Sequence, residues 1–345
     1  MKKHLLYLIN VLLLASLPSL AQQSMDFGVA SGITNYFGDL GNDEFFQASS
    51  TRPGIAITAR NLIQPKAITG YQYSNFNVET RLSWHRIGYD ETREIGPRSG
   101  YELRNYGRGL SFRTDIIGIS GHISYTYYPN KRLSLNKQGA AIFVFTGAGI
   151  FYADPKADLF TGDIDLANRY YFWADGTTRD HAQSDGFGNV IDRDGKYETH
   201  LRDWRTEGQG AANEGSGKKP YSPWHVGIPA GFGFRFGVTP LLTYSIEFGY
   251  YHFLTDYLDD VSKSYATYKE IEENYPNDPT KQELAKYISD PTGNGTNGYE
   301  GVATSKRGNP KLNDSYTFIN MEIAYRLKWN PNKVKSDMFG WTTFR

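Results

Sequence analysis

The chain has 345 residues, with 37 lysines plus arginines against 37 aspartates plus glutamates, and it contains no cysteine. The zero net charge gives no reason to expect nucleic acid or an anionic membrane surface as a partner, and the lack of cysteine excludes disulfides, thiolate metal sites and a cysteine nucleophile. A mean hydropathy of −0.54 excludes a bundle of transmembrane helices. The 26 tyrosines and 36 glycines are instead typical of many long strands joined by polar loops.

The N-terminus predicts export from the cytoplasm. Two lysines precede an almost wholly apolar segment, Leu5–Leu20, and Ser19 and Ala21 supply the small residues that a signal peptidase needs. The apolar run is shorter than the ~20 residues of a membrane-spanning helix, and no charged stop-transfer flank follows it. We therefore predict a cleavable signal peptide over residues 1–21 rather than an N-terminal membrane anchor.

Eight segments of the mature chain predict β-strands: seven alternate between apolar and polar or small residues, and the fifth is apolar or small on both faces. In chain order they cover residues 25–36, 53–62, 76–85, 108–128, 139–152, 226–236, 242–251 and 319–329. The last is the clearest, because six apolar residues alternate with polar or small ones from Ile319 to Trp329. We predict a bulge in two strands. In the sixth, Pro229 lacks an N–H group, and in the fourth, the apolar residues change from one set of alternate positions to the other near Ile116 and Ile117.

The connections between these strands alternate in length. Those after strands two, four and six are short, whereas those after strands one, three, five and seven are longer, and the longest cover about 153–222 and 258–313. This pattern is typical of an outer-membrane barrel with short periplasmic turns and long extracellular loops. We predict an all-β fold, namely an eight-stranded antiparallel transmembrane β-barrel over residues 22–329, followed by a periplasmic C-terminal tail, 330–345.

Alternation alone does not say which face of the barrel is inside, since a soluble lipocalin-like barrel also alternates. Charges of both signs on the polar face, aromatic residues near the ends of the apolar face and the lengths of the strands favour the membrane barrel. The charged residues expected to pair across the lumen are Glu79, Arg81, Arg113, Asp115, Arg235, Glu247, Glu322 and Arg326. Eight strands leave room for little more than side chains, so we expect these pairs to plug the lumen.

The loops offer little chemistry. The DRDG segment at 192–195 begins like a calcium loop, but Val190 and Leu201 occupy positions where an EF-hand needs ligands, so we interpret it as a polar turn. No histidine spacing fits a zinc site, and no serine lies in a nucleophile-elbow context. We expect no enzymatic activity, cofactor or metal; an outer-membrane protease or acyltransferase would need Asp, His or Ser clustered at one rim. Aromatic residues at helical spacing over 264–288 predict a helix that packs the last long loop.

Two stretches rich in aspartate and tyrosine follow strands one and seven, NYFGDL at 35–40 and TDYLDDVS at 255–262. Both lie at the extracellular end in the predicted topology, where their carboxylates could bind a cation together. The plainer interpretation is that Asp and Gly form turns there, while Tyr and Phe lie in the interfacial belt of the membrane. A third segment, RGNP at 307–310, is typical of a turn that leads into the last strand.

These segments resemble the PorG-like outer-membrane barrels of the type IX secretion system of Bacteroidetes. GAGIFYADPK at 147–156 and GIPAGFG at 227–233 extend the resemblance, in the order expected for the family, whereas the insert at 153–222 departs from it. The resemblance implies an integral outer-membrane protein associated with the periplasmic ring of lipoprotein and partner subunits, and not the translocation channel itself. The residues that carry the three motifs are Asn35, Tyr36, Phe37, Gly38, Asp39, Leu40, Thr255, Asp256, Tyr257, Leu258, Asp259, Asp260, Arg307, Gly308, Asn309 and Pro310.

The C-terminal tail is basic and aromatic. Its candidate docking residues for the periplasmic ring are Lys333, Lys335, Phe339, Trp341 and Phe344. A disordered tail, or one tucked under the barrel as a plug, is the alternative. The predicted function is a non-enzymatic accessory component of the secretion machinery, in contact with outer-membrane lipid and the ring; the alternative is a stand-alone surface barrel whose long loops bind ligands or partners.

Overall fold

The computed structural model describes residues 24–41, 46, 48–63, 74–92, 108–129, 139–211, 219–239, 241–293, 295 and 306–328. The strands within these residues are β1 (Ser24–Phe37), β2 (Arg52–Ile63), β3 (Ser74–Asp90), β4 (Ser111–Tyr127), β5 (Ala140–Tyr152), β6 (Pro155–Ala157), β7 (Tyr171–Phe172), β8 (Thr178–Arg179), β9 (Thr199–His200), β10 (Trp224–Gly237), β11 (Leu242–Phe253) and β12 (Ser315–Lys328). The α-helices are α1 (Leu201–Trp204), α2 (Tyr268–Asn274) and α3 (Pro279–Ser289). No helix in this part of the chain is both long and apolar enough to cross a membrane. The predicted signal peptide and the C-terminal tail with its docking candidates lie outside the described residues.

Eight long strands close into a barrel. Sequence neighbours pair antiparallel from β1 to β5 and from β10 to β12, and β5 pairs with β10 across the longest insert. The first and last strands complete the ring, with Phe27 opposite Tyr325 and Asp26 opposite Arg326. Closure removes the open edges that a flat sheet would expose. The predicted eight-stranded antiparallel barrel is confirmed.

The outside of the barrel is apolar. Exposed apolar side chains come from every barrel strand and include Val29, Ile57, Leu82, Ile123, Val144, Ile228, Ile246 and Ile323. A continuous apolar belt of this kind suits the hydrocarbon core of a bilayer and not water. The barrel strands are 12 to 17 residues long, which exceeds the ~9–11 residues needed to cross a bilayer obliquely. The protein is therefore a transmembrane barrel with its polar face inside.

Neither predicted bulge is present. β3 pairs with β4 in one unbroken register along its whole length, and the register between β5 and β10 is the same on both sides of Pro229. The parity change near Ile116 has another cause. Even-numbered residues of β4 are buried along the entire strand, and the inward positions turn from polar to apolar toward one end of the barrel. Pro229 removes only the ladder hydrogen bond that its N–H group would have made.

The described parts of the long connections lie at one end of the barrel, called here the loop end, and the opposite end is the turn end. Most of the insert between β5 and β10 and of the connection between β11 and β12 folds into a cap over the loop end. The cap and the adjoining lumen share one apolar core, which includes Leu40, Leu110, Phe112, Leu159, Leu258 and Ile288. This shared core fixes the cap on the barrel.

Two helices lie in the connection between β11 and β12, as the aromatic spacing predicted. α2 follows a capping box in which the Thr267 hydroxyl accepts from Glu270 N and the Glu270 carboxylate accepts from Thr267 N. α3 begins with Pro279, and Asp278 caps its first turn. Ile271 of the aromatic and apolar stripe is buried against neighbouring side chains of the cap, so the stripe serves packing.

Candidate functional site

An ion-pair network fills the middle of the lumen. Arg60 Nε lies 2.8 Å from Glu79, and Arg60 Nη2 lies 2.7 Å from Glu322. Arg81 pairs with Glu79 at 2.7 Å and with Glu247 at 2.6 Å. All five side chains are at most 5% exposed. We call them the ion network; buried charges of this kind are tolerated because each carboxylate meets a guanidinium directly.

Strand register explains how the lumen charges meet. Arg60 lies opposite Glu79 across β2 and β3, and residues two apart in a strand, such as Glu79 and Arg81, face the same side. At the turn end, Arg326 pairs with its register partner Asp26 at 2.8 Å. Sequence reasoning misses Arg60 and Asp26 because β1 and β2 otherwise carry mostly small residues on their inner faces. Arg60 and Asp26 occupy the same alternating positions as those small residues, and this placement on the inner face is the signal that identifies them.

Arg235 lies in the lumen against an aromatic ring. Its guanidinium carbon is 4.3 Å from the centre of the Phe143 ring, and its Nε donates to Ser245 Oγ at 3.4 Å. The ring face offsets part of the guanidinium charge. A glycine in β10 makes room for this ring, since a Cβ at Gly233 would lie 2.5 Å from Phe143 Cζ.

Arg113 and Asp115 face outward, so the prediction that they pair across the lumen is wrong. Asp115 pairs instead with Arg86 at 2.7 Å, and these two side chains are 32% and 30% exposed. The Arg113 guanidinium lies 3.8 Å from the centre of the Tyr197 ring in the cap. The odd-numbered positions of β4 point outward and carry these two charges, whereas two of the inward positions at this end, Phe112 and Ile116, are apolar. The usual rule that polar residues face the lumen therefore fails here.

A layer of buried aromatic side chains closes the lumen between the ion network and the cap. Tyr251 and Tyr316 stack with their ring centres 4.9 Å apart, and His85 Nδ1 lies 2.8 Å from the Tyr316 hydroxyl. Phe151 and Phe253 pack against these tyrosines. Together with the ion network, this aromatic layer fills the barrel interior with side chains, as eight strands require.

The three motif segments meet at the loop end. The Tyr36 hydroxyl donates to Asp259, which joins the first segment to the second. Asn309 N donates to Asp39 Oδ2 at 2.6 Å, which joins the third segment to the first. These pairs are 223 and 270 positions apart in the chain, so sequence distance hides their contact. We call residues 35–40, 255–260 and 307–310 the motif cluster.

Arg307 is a buried cation at the centre of the motif cluster. It is 2% exposed, and its Nη1 lies 3.2 Å from Asp260 Oδ2 and donates to the Asp260 carbonyl. Asp260 also accepts from the Tyr221 hydroxyl at 2.7 Å, which ties the longest insert to the cluster. Arg108 donates to the carbonyls of Arg307 at 2.8 Å and Asp39 at 3.0 Å. Sequence reasoning misses Tyr221 because it lies in a loop without periodicity. It misses Arg108 because this residue begins the predicted fourth strand, while its partners Arg307 and Asp39 lie far away in the chain.

Close packing explains both glycines of the motif cluster. A Cβ at Gly308 would lie 2.1 Å from Asp39 Oδ2, and a Cβ at Gly38 would lie 2.0 Å from the Tyr36 hydroxyl. Tyr36 is only 3% exposed. The interpretation that places this tyrosine in the interfacial belt is therefore wrong, because its hydroxyl forms a hydrogen bond inside the cap.

The remaining motif residues hold the cluster from its sides. Leu40 and Leu258 belong to the shared apolar core. The Thr255 carbonyl accepts from Asp314 N at 3.0 Å, and Tyr257 stacks on Tyr221 with ring centres 4.4 Å apart. Asn35 is buried, Phe37 is half-buried and Pro310 is exposed at a turn.

Besides Asp260, which binds Arg307, four further aspartates crowd the motif cluster and its border: Asp39, Asp256, Asp259 and Asp314. Burial raises the pKa of Asp256 to about 9, and the nearby Asp39 adds to the rise. Burial also raises the pKa values of Asp259 and Asp314 well above their usual range. Val261 N donates to Asp259 and Leu258 N donates to Asp314, each at 2.8 Å. These hydrogen bonds position the carboxyls, and the shared cation site that the sequence allows stays a prediction.

Replacing Asp256 with asparagine is expected to stabilise the cap at alkaline pH. A carboxyl whose pKa rises from 3.8 to about 9 on folding binds an extra proton in the folded state between these values, so stability falls as the pH rises through this window. An asparagine side chain does not ionise in this range, so the variant does not lose stability in this way as the pH rises. Proteolysis of the cap, followed from about pH 4 to about pH 9, should be slower in Asp256→Asn than in wild type, and the difference should grow as the pH rises through this window. Exposed Asp185→Asn is the control, and identical pH profiles for both variants would contradict the expectation.

Comparisons with known proteins add little at the level of sequence. No family model matches this chain, and no curated protein is detectably similar to it. Among solved structures, Ail of Yersinia pestis, crystallised with the heparin analogue sucrose octasulfate, is 8% identical with a TM-score of 0.33, over 89% of this chain and 99% of that one. Neisserial surface protein A is 8% identical with a TM-score of 0.30, over 88% and 97%. OprG from Pseudomonas aeruginosa is 9% identical with a TM-score of 0.30, over 89% and 98%.

These likenesses are too distant to carry an argument. The assignment of the fold rests on the strand pairing of this chain, which closes the ring between β1 and β12. The membrane assignment rests on the exposed apolar belt.

Proposed function

We propose that this protein is a non-enzymatic accessory component of the type IX secretion machinery, placed in the outer membrane and associated with the periplasmic ring. The observation that carries the proposal is the filled lumen. Because the ion network and the aromatic layer occupy the barrel interior, the barrel suits anchoring and not passage of a substrate. An accessory subunit needs a stable membrane anchor and an end that binds partners.

The motif cluster supports the resemblance on which the proposal draws. The NYFGDL, TDYLDD and RGNP segments lie far apart in sequence, yet they join through Tyr36 with Asp259, Asp39 with Asn309, and Arg307 with Asp260. A resemblance carried by segments that form one packed unit has more weight than one carried by three separate short matches.

Barrel topology determines on which side of the membrane each end of the barrel would contact a partner. Ser24 pairs with Lys328, so β1 begins and β12 ends at the turn end. In an outer-membrane barrel, short turns face the periplasm and long loops face outward. The tail that follows β12 would then emerge on the same side as the periplasmic ring.

Deleting residues 331–345 tests the proposal. The truncated barrel is expected to insert normally because β12 ends at Lys328, but to lose the ring subunits on co-purification. In a strain that lacks the gene, it should complement poorly, and cargo should build up in the periplasm. A double substitution on the opposite side of the membrane, Phe187→Ala with Val190→Ala, is the control and should keep both activities. Full ring retention and normal secretion by the truncated barrel would overturn the tail's role.

A stand-alone surface barrel is the second candidate. Phe187 and Val190 are 62% and 59% exposed in the longest insert, and neighbouring apolar side chains in water suit contact with a partner. On this alternative, deleting the gene leaves secretion unchanged, and the Phe187→Ala with Val190→Ala variant reduces binding to ligands or neighbouring cells.

A further inference from the structure

Three carboxylates meet in the cap, away from the motif cluster. Asp158 follows β6, and Asp194 and Glu198 precede β9. One oxygen of each lies within 4.8 Å of an oxygen of the other two. We call them the carboxylate triad.

Main-chain N–H groups hold the triad in place. Gly195 N donates to Asp158 Oδ2 at 2.9 Å, and Gly162 N donates to Asp194 Oδ2 at 3.0 Å. Glu198 Oε1 accepts from the N–H groups of Leu159 and Phe160 at 3.0 and 3.1 Å. Each carboxylate is therefore oriented by N–H groups of the chain segment that carries another member of the triad.

Two oxygens of the triad are buried and have no hydrogen-bond partner within the described residues. They are Asp158 Oδ1 and Glu198 Oε2, and Asp158 is only 2% exposed. A buried anionic oxygen without a partner is costly, and a native structure normally satisfies it with a donor or an ion. At each of these oxygens a positively charged ligand would be stabilising, and both belong to the triad.

The neighbouring cations compensate the triad only in part. Lys196 Nζ lies 2.9 Å from Asp194, but its side chain is 64% exposed. Arg193 points away to Asp90 at 3.0 Å and over the Phe172 ring. One solvated ammonium at the rim faces three carboxylates, so the cluster keeps an excess of negative charge toward Asp158.

We propose that the triad is a binding site for a calcium ion. The donor set is made of carboxylate oxygens with no nitrogen or sulfur, which selects a hard cation. Calcium accepts irregular arrangements of oxygen ligands and completes its shell with water and carbonyl groups, whereas magnesium requires near-octahedral geometry. Extracellular modules bind calcium with dissociation constants of ~10⁻⁴–10⁻³ M, which suits an exported cap.

Calcium would fasten the longest insert to the barrel. Asp158 follows β6, which pairs with β4 of the barrel through Arg113 and Lys156. Glu198 precedes β9, which extends the same sheet by pairing with β6. An ion shared by these residues clamps the two ends of the segment between them, so that segment should resist proteases when the ion is bound.

Calorimetric titration of the purified full-length barrel in detergent tests the site. After treatment with EDTA, wild type is expected to bind one calcium ion with a dissociation constant of ~10⁻⁴–10⁻³ M. Asp158→Asn and Glu198→Gln should each weaken binding at least about tenfold, since each removes one charged ligand. Asp185→Asn, which alters an exposed carboxylate of the same insert, should bind as wild type does. Heat-resistant migration on gels verifies that every variant keeps a folded barrel.

Limited proteolysis gives a second readout. Calcium should slow cleavage between residues 159 and 198 in wild type and in Asp185→Asn, but not in Asp158→Asn or Glu198→Gln. The proposal is overturned if wild type shows no saturable binding up to about 10 mM calcium, or if both triad variants bind like wild type. Equal protection by magnesium at the same concentration would overturn the choice of calcium.

Discussion

Replacing Arg60 with alanine is expected to destabilise the folded barrel by about 3–5 kcal/mol. The Arg60 guanidinium lies 2.8 Å from Glu79 and 2.7 Å from Glu322. Its removal leaves two carboxylates in a lumen that is almost fully shielded from water, without the cation that joins them. The free energy of unfolding, measured by urea titration of the barrel in lipid vesicles, checks this expectation.

Arg86→Ala is the matched control for burial. Arg86 and Asp115 form an ion pair of the same chemistry at 2.7 Å, but their side chains are 30% and 32% exposed. Partly exposed pairs contribute about 0–1 kcal/mol. Arg60→Lys adds a further comparison, since it keeps the charge but cannot bind Glu79 and Glu322 with a planar fork. Equal losses for Arg60→Ala and Arg86→Ala would contradict a role for burial.

Replacing Arg307 with alanine is expected to release the cap while the barrel stays folded. Arg307 Nη1 lies 3.2 Å from Asp260 and 3.9 Å from Glu207, and both carboxylates are fully buried. Removing the cation from such a site costs about 3–5 kcal/mol, enough to unfold a local unit that packs on a more stable one. Limited proteolysis with mass spectrometry should show new cleavage in the cap and intact barrel strands.

Arg202→Ala is the control for the cap experiment. Arg202 binds Asp154 at 3.3 Å with its side chain 29% exposed, so its loss should leave cleavage of the cap nearly unchanged. Two results would contradict the expectation for Arg307. One is a cap as resistant in Arg307→Ala as in wild type. The other is loss of the whole barrel, seen as loss of heat-resistant gel migration.

Period-two alternation predicts seven of the eight barrel strands, whereas the segment that forms β5 is apolar or small on both faces. The bilayer requires apolar residues outside and the lumen requires satisfied polar ones inside, so neighbouring positions carry opposite chemistry. The rule fails where both sides are apolar. Ile116 faces the lumen and Ile117 faces outward in one regular strand. Because both are apolar, the sequence wrongly predicts a bulge here and wrongly places Arg113 and Asp115 in the lumen.

The cap could not be predicted from sequence because its contacts are non-local and aperiodic. The motif segments were recognisable singly, but nothing in their spacing shows that Tyr36 reaches Asp259. The carboxylate triad is hidden in the same way, since Asp158 lies far upstream of the DRDG segment, whose sequence alone is typical of a polar turn. Hydrogen bonds from main-chain N–H groups, which no residue type reveals, orient Asp158 and Glu198.

The pairing of β1 with β12 constrains how the chain is made. Asp26 and Arg326 are 300 positions apart, so the ring cannot close until nearly the entire polypeptide has been translated. Contacts of such separation form slowly, and until then the edge of β1 and the outward apolar side chains have neither a strand nor lipid to cover them. The chain must therefore stay unfolded and shielded from aggregation until its last strand is available, and a stop codon before Ser315 would yield no closed barrel.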